Sequence, residues 1–263
     1  MFNSLFQPKP LLDDDSATWI CHQFNWIQQQ FDADYFLEQS PLVLPNNDFF
    51  PGRADSHQGM AQLLLDQVKR HAGLEHWPTE LLEGRLQPDE PPGRLALPAQ
   101  RGEQRGSNQP IVSQAVAALP VYFNPAQVND PQAMVSSFAQ SIGNALTQQA
   151  ALPPHISAEQ WPLLVELVAI YLGFGIPMTN SAFAFAGGCG GCSKRAAQRQ
   201  AFLSQDEALF GLALFCSLKQ LDAGQVLPHL KPHLKKLYKR ACAQLEKSQL
   251  EKSQLEKGQL TQQ

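Results

Sequence analysis

Residues 163–176, LLVELVAIYLGFGI, make the longest apolar run of the chain and carry one charged side chain, Glu166. A membrane-spanning helix needs about 20 apolar residues, and a carboxyl group in hydrocarbon is costly unless it is paired. The run is therefore expected in the interior of a folded domain, with no membrane role. The rest of the chain has to cover it, and Glu166 asks for a polar partner or a cleft.

The flanking sequence supplies helices for that purpose. Asp13, Asp14, Asp15 and Ser16 favour a helix start, and Ile20, Phe24, Ile27 and Phe31 then recur on one helical face. A second helix is expected over residues 56–72, with Met60, Leu64, Val68 and His71 on one side and Gly73 placed to end it. Asp130-Pro131 opens a third, whose apolar face is Met134, Phe138, Ile142 and Leu146. Ser157 with Gln160, and Ser204 with Glu207, have capping-box spacing ahead of two more. Leu234, Leu237, Tyr238 and Ala241 follow Pro232 in the last.

Strand signals are sparse. Leu42-Val43-Leu44, halted by Pro45, reads as a buried strand, and residues 119–124 (LPVYFN) read as a strand whose prolines suit a sheet edge. Residues 87–110 form a loop rich in proline, glycine, arginine and glutamine, with one short apolar patch at Leu95-Ala96-Leu97. The expected fold is mainly helical α+β, five to seven helices around a small sheet. One globular domain covers residues 1–244, and a low-complexity tail covers 245–263. In that tail Leu245, Leu250, Leu255 and Leu260 recur every five residues, a step of about 140° beyond a full helical turn. They spiral instead of forming a coiled-coil seam, so the tail reads as frayed helix or disorder.

Charge and cysteine usage narrow the function classes. With 20 basic and 24 acidic residues and a net charge of −4, the chain is not expected to bind nucleic acid. The N-terminal MFNSLFQPKP lacks the apolar stretch of a secretory signal, which predicts a cytoplasmic protein. Its 5 cysteines show no disulfide framework, so thiols are the expected state.

Residues 138–146, FAQSIGNAL, resemble in outline the active-site helix of the H-E-x-x-H zinc peptidases, the zincins. There, residues four apart share a face and place two imidazoles on one zinc. Here Gln140 and Asn144 stand at the histidine positions and Ser141 at the glutamate position. Carboxamides are poor zinc ligands and serine is no general base, so zinc hydrolysis is excluded at this helix. The resemblance implies a zincin-like core at about residues 111–180, with LPVYFN as the strand before the helix and Glu166 at the place of a third, glutamate ligand. An ordinary amphipathic helix gives the same pattern. The chain as a whole, including LVLPNNDFFPG and GFGIPMTNSAF, resembles a family of uncharacterised bacterial proteins that carries no activity over.

Cys189 and Cys192 form a C-x-x-C in the glycine-rich AGGCGGCSKR, near Lys194 and Arg195. Such a dithiol can serve as half a zinc site, as a redox pair or as incidental thiols. His229 and His233 are the candidate complement, although the intervening stretch is long for a zinc finger and Pro232 interrupts the pair. No cofactor is expected, with zinc at Cys189 and Cys192 the alternative. The expected function is that of a catalytically inactive zincin-like protein binding a peptide or protein partner along LPVYFN. The competing reading is a metal or thiol-redox protein.

Overall fold

The structure, a computed structural model, describes residues 9–84, 97–102, 117–182 and 201–260, with side chains through residue 248. Of the apolar patch at Leu95-Ala96-Leu97, only Leu97 is described, and it belongs to no strand.

Local capping sets most helix ends. Asp13 accepts the Ser16 amide at 2.9 Å and starts α1 (Asp14–Gln30), which buries Ile20, Phe24 and Ile27, with Phe31 buried just beyond its end. The short α2 (Ala33–Glu38) follows Asp32, a left-handed residue at φ 47°. Ser56 caps α3 (His57–Ala72), and Gly73 ends it at φ 72°. Asp130, with Pro131 in the first turn, opens α4 (Pro131–Thr147), where Met134, Phe138, Ile142 and Leu146 are buried.

The apolar run forms the central element. Ser157 and Gln160 exchange their capping-box hydrogen bonds, and α5 (Trp161–Ala169) continues through a π-turn (Ile170–Phe174) into α6 (Gly175–Ser181). The continuous helix Ala158–Ser181 is 24 residues, long and apolar enough to cross a membrane, which corrects the reading of the apolar run as too short. Its apolar window is 89% buried inside the protein, because α1, α4 and α7 (Gln205–Leu218) pack around it. Ser204 and Glu207 form the capping box of α7. After α8 (Ala223–Val226), α9 (Pro232–Leu260) packs along α7 and buries Leu234, Tyr238, Ala241 and Leu245.

Counting the continuous run as one, there are 8 helices among the described residues, against the five to seven expected. The two additional ones, α2 and α8, span 6 and 4 residues, too few to display a helical period.

The π-turn decides the fate of Leu42-Val43-Leu44, which forms no strand. Val43 is fully buried, and its N–H donates to the Gly173 carbonyl at 3.0 Å. A π-turn releases carbonyls from the ordinary helical ladder, and this one is used as a tertiary acceptor. Gly173 itself lies at φ 105°, against the Pro41 carbonyl.

The sheet has two strands, β1 (Thr79–Glu83) and β2 (Leu119–Phe123), paired in parallel with Thr79 opposite Leu119. Leu119, Val121 and Phe123 are buried on one face, toward α4.

His71, at the end of α3, packs against the rings of Phe49 and Phe50, and its Nε2 lies 2.7 Å from the Phe49 carbonyl, to which it donates. Burial lowers the imidazole pKa below its ordinary 6.5, opposed in part by that hydrogen bond and aided by nearby Arg70. The unfolded chain then binds the proton more readily than the folded one. The contribution of His71 to stability is thus full above about pH 6.5 and is lost as the pH falls through the lower, folded value. Urea unfolding between about pH 7.5 and about pH 5 should show stability falling with acid, and His71→Gln should flatten the slope. His76, shifted in the same direction, leaves a residual slope.

Candidate functional site

The two helices of the zinc-peptidase resemblance lie side by side. Gly143 allows the approach: a Cβ there would sit 3.1 Å from the Val165 carbonyl and 3.4 Å from the Ala169 nitrogen. The side chains at the ligand positions are engaged separately. Asn144 Oδ1 accepts Trp161 Nε1–H at 2.9 Å, and Ser141 Oγ donates to the Ser137 carbonyl at 3.1 Å. Gln140 is half-buried.

Glu166 is fully buried, and its oxygens accept the amides of Phe202 at 3.2 Å and Leu203 at 2.9 Å. Residues 165 and 169 face α4, whereas residue 166 is turned about 100° from residue 165, toward the chain entering α7. The carboxyl group thus ties the segment ahead of α7 to the central helix, and Asn144 anchors a tryptophan on another side of α5. No hydrogen bond joins Asn144 to Glu166 among the described residues.

Cys189 and Cys192, with Lys194 and Arg195, lie outside the described residues. His229 ends a 3-10 turn, Leu227–His229, with its carbonyl accepting Asn180 Nδ2–H at 2.9 Å, and His233 is exposed in the first turn of α9. Among the described residues no group of three or more His, Cys, Asp or Glu side chains is placed to hold a metal ion.

A different cluster departs from ordinary burial rules. Arg101 is 3% exposed, in a segment of no regular structure. Its Nε–H donates to the Ala72 carbonyl at 2.9 Å, and Nη2–H donates to Ser40 Oγ. Nη1 is buried without a hydrogen-bond partner. The guanidinium carbon lies 4.5 Å from the Tyr35 ring centroid and 5.7 Å from that of Tyr171. Among the described residues Arg101 forms no salt bridge; the one present there joins Arg70 to Glu75 at the surface.

Burial pushes the Arg101 guanidinium down to about 10, so it remains charged at neutral pH. Tyr171, Tyr35 and the Asp32 carboxylate oppose that shift, and helix ends add to them. Ala72 is the last residue of α3, and nearby Lys219 Nζ donates to the carbonyls of Phe36, Leu37 and Ser40 at the end of α2. Two helix C-termini, each with partial negative charge, converge on two cations. Tyr171, in the π-turn, stacks on Phe36 at 4.4 Å and donates its hydroxyl to the Phe31 carbonyl at 2.8 Å. Burial raises the pKa of that hydroxyl, keeping it a neutral donor.

The sheet edge is the second site. Leu119 N–H donates to the Pro78 carbonyl at 2.8 Å and Gly84 N–H to the Phe123 carbonyl at 3.0 Å, so odd-numbered β2 residues bond inward to β1. In a parallel pair this turns the backbone groups of Thr79, Leu81 and Glu83 outward on β1, and those of Pro120 and Tyr122 outward on β2. Pro120 is tolerated because its missing N–H falls on the outer side. Among the described residues no third strand pairs with either edge.

Comparison with protein-family models, curated proteins and solved structures finds no match in any of the three. The reading of these sites rests on their geometry.

Sequence reasoning placed a sheet edge at LPVYFN but passed over β1 and Arg101. β1 had a usable signal, since Pro78 and Gly84 bracket TELLE, but its exposed, half-buried, half-buried, exposed order over Glu80 to Glu83 breaks strict alternation. Arg101 lies inside a stretch whose composition announces only a loop, and nothing local signals its burial.

Proposed function

We propose that this is a non-catalytic binding protein that takes an extended peptide by strand addition on the outer edge of its two-stranded sheet. The supporting observation is the parallel β1–β2 pair with Thr79, Leu81 and Glu83 directed outward. A strand edge that no third strand pairs with among the described residues is a template for another chain. The sequence expectation placed the peptide on β2. Pro120 removes one of the two outward donor positions of that strand, so the β1 edge is the better receptor. Glu80 and Glu83 are exposed there and favour a basic partner.

The test is a titration of isotope-labelled protein with an alternating Lys-Val octapeptide, following backbone amide resonances. Thr79, Leu81 and Glu83 should shift while Glu80 and Leu82 move less. Leu81→Pro, which deletes one outward donor and obstructs the edge, should weaken binding by about tenfold or more. Shifts spread over both residue parities, or none at about 1 mM peptide, would count against the reading.

A further inference from the structure

From the surroundings of Arg101 we infer that the cleft between the ends of α2 and α3 is a recognition pocket for an arginyl-glycyl peptide, filled in this structure by the chain's own Leu97–Gly102. This inference is independent of the sheet edge.

The segment is held as a peptide ligand is held, by side-chain anchors and isolated backbone hydrogen bonds. Leu97 is buried, Trp77 Nε1–H donates to the Pro98 carbonyl at 2.9 Å, and Gly102 N–H donates to the Gly73 carbonyl at 2.8 Å. Arg101 is the central anchor. The groups in direct contact with its guanidinium are neutral and electron-rich, namely the Ala72 carbonyl, the Ser40 hydroxyl and the faces of Tyr35 and Tyr171, while the Asp32 carboxylate and the Lys219 ammonium act on it from farther away. Such surroundings select a planar cation that can stack and donate at once, which distinguishes arginine from lysine. They also argue against an anion, because the α2 and α3 C-termini would repel it.

The requirement for glycine after arginine is steric. Gly102 lies at φ 84°, and a Cβ on it would come 2.7 Å from Tyr35 Cε2. On the receptor side, a Cβ on Gly73 would collide with the Tyr35 hydroxyl, so the ring that covers the guanidinium fits only between two glycines. The sequence also provides a second copy of the tripeptide, since Gln104-Arg105-Gly106 repeats Gln100-Arg101-Gly102.

Emptying the pocket in cis makes it available in trans. The test uses the full chain with Arg101→Ala and Arg105→Ala together, so that the second copy cannot replace the first. Binding of the synthetic hexapeptide Leu-Pro-Ala-Gln-Arg-Gly is measured by calorimetry. The double variant should bind it, and a peptide with lysine for arginine should bind at least about tenfold more weakly. Wild type should bind it with an apparent Kd no tighter than about 1 mM, because a tethered segment competes at millimolar effective concentration.

If the double variant does not fold alone, it is refolded with and without the hexapeptide or methylguanidinium, and recovery of native helical signal only with them supports the pocket. A folded variant that ignores the peptide, equal binding by wild type, or no recovery on refolding with either compound each overturns it.

Discussion

Replacing Gly173 with alanine is expected to lower the unfolding free energy by about 4 kcal/mol, enough to leave a marginal domain largely unfolded. Two independent penalties combine at this position. The backbone stands at φ 105°, a conformation that residues with a Cβ rarely adopt, and the added Cβ would press into the Pro41 carbonyl oxygen. Neither side can give way cheaply, because the Gly173 carbonyl holds the Val43 amide at 3.0 Å, and both lie in the buried centre of the fold. Gly84 is the internal control. It has φ 143°, yet among the described residues its Cβ would meet only Tyr122 Cδ1 at 3.8 Å, so Gly84→Ala should cost about 1 kcal/mol, the backbone share alone. Urea unfolding midpoints of the two variants decide the matter. A Gly173→Ala loss no larger than that of Gly84→Ala would show that the contact at Pro41 relaxes.

Glu166→Ala is expected to cost about 3 kcal/mol, because it strands the Phe202 and Leu203 amides next to the central helix. Glu166→Gln retains one acceptor oxygen and turns an N–H₂ toward the other amide, for a loss of about 1–2 kcal/mol. The pair of variants also separates two roles for this residue. A staple between α5 and the start of α7 predicts a stability loss with no change in metal content by elemental analysis. A relic zinc ligand predicts that bound zinc disappears with the carboxyl group.

What the sequence could announce about Glu166 was its need, not its partner. A lone acid among apolar residues has to be satisfied, but two amides that it accepts lie 36 and 37 residues away and belong to no motif. The resemblance to a zinc-peptidase helix ran the same course. FAQSIGNAL does form a helix beside the one that carries Glu166, and Asn144 is occupied by the Trp161 indole. For Arg101, the hydroxyl partner Ser40 is 61 residues away, across α3 and β1.

The sequence by itself determined where five of the helices start. Asp13, Ser56 with Gly73, Asp130 with Pro131, Ser157 with Gln160, and Ser204 with Glu207 all act where their spacing places them, since capping is settled within about four residues. Only the tertiary structure decided the π-turn with Gly173 against Pro41, the parallel pairing of TELLE with LPVYF, and the burial of Arg101 between two tyrosines. Each depends on atoms that chain folding brings together from distant segments. A charge or an edge left over by local rules is resolved only by whatever packs against it.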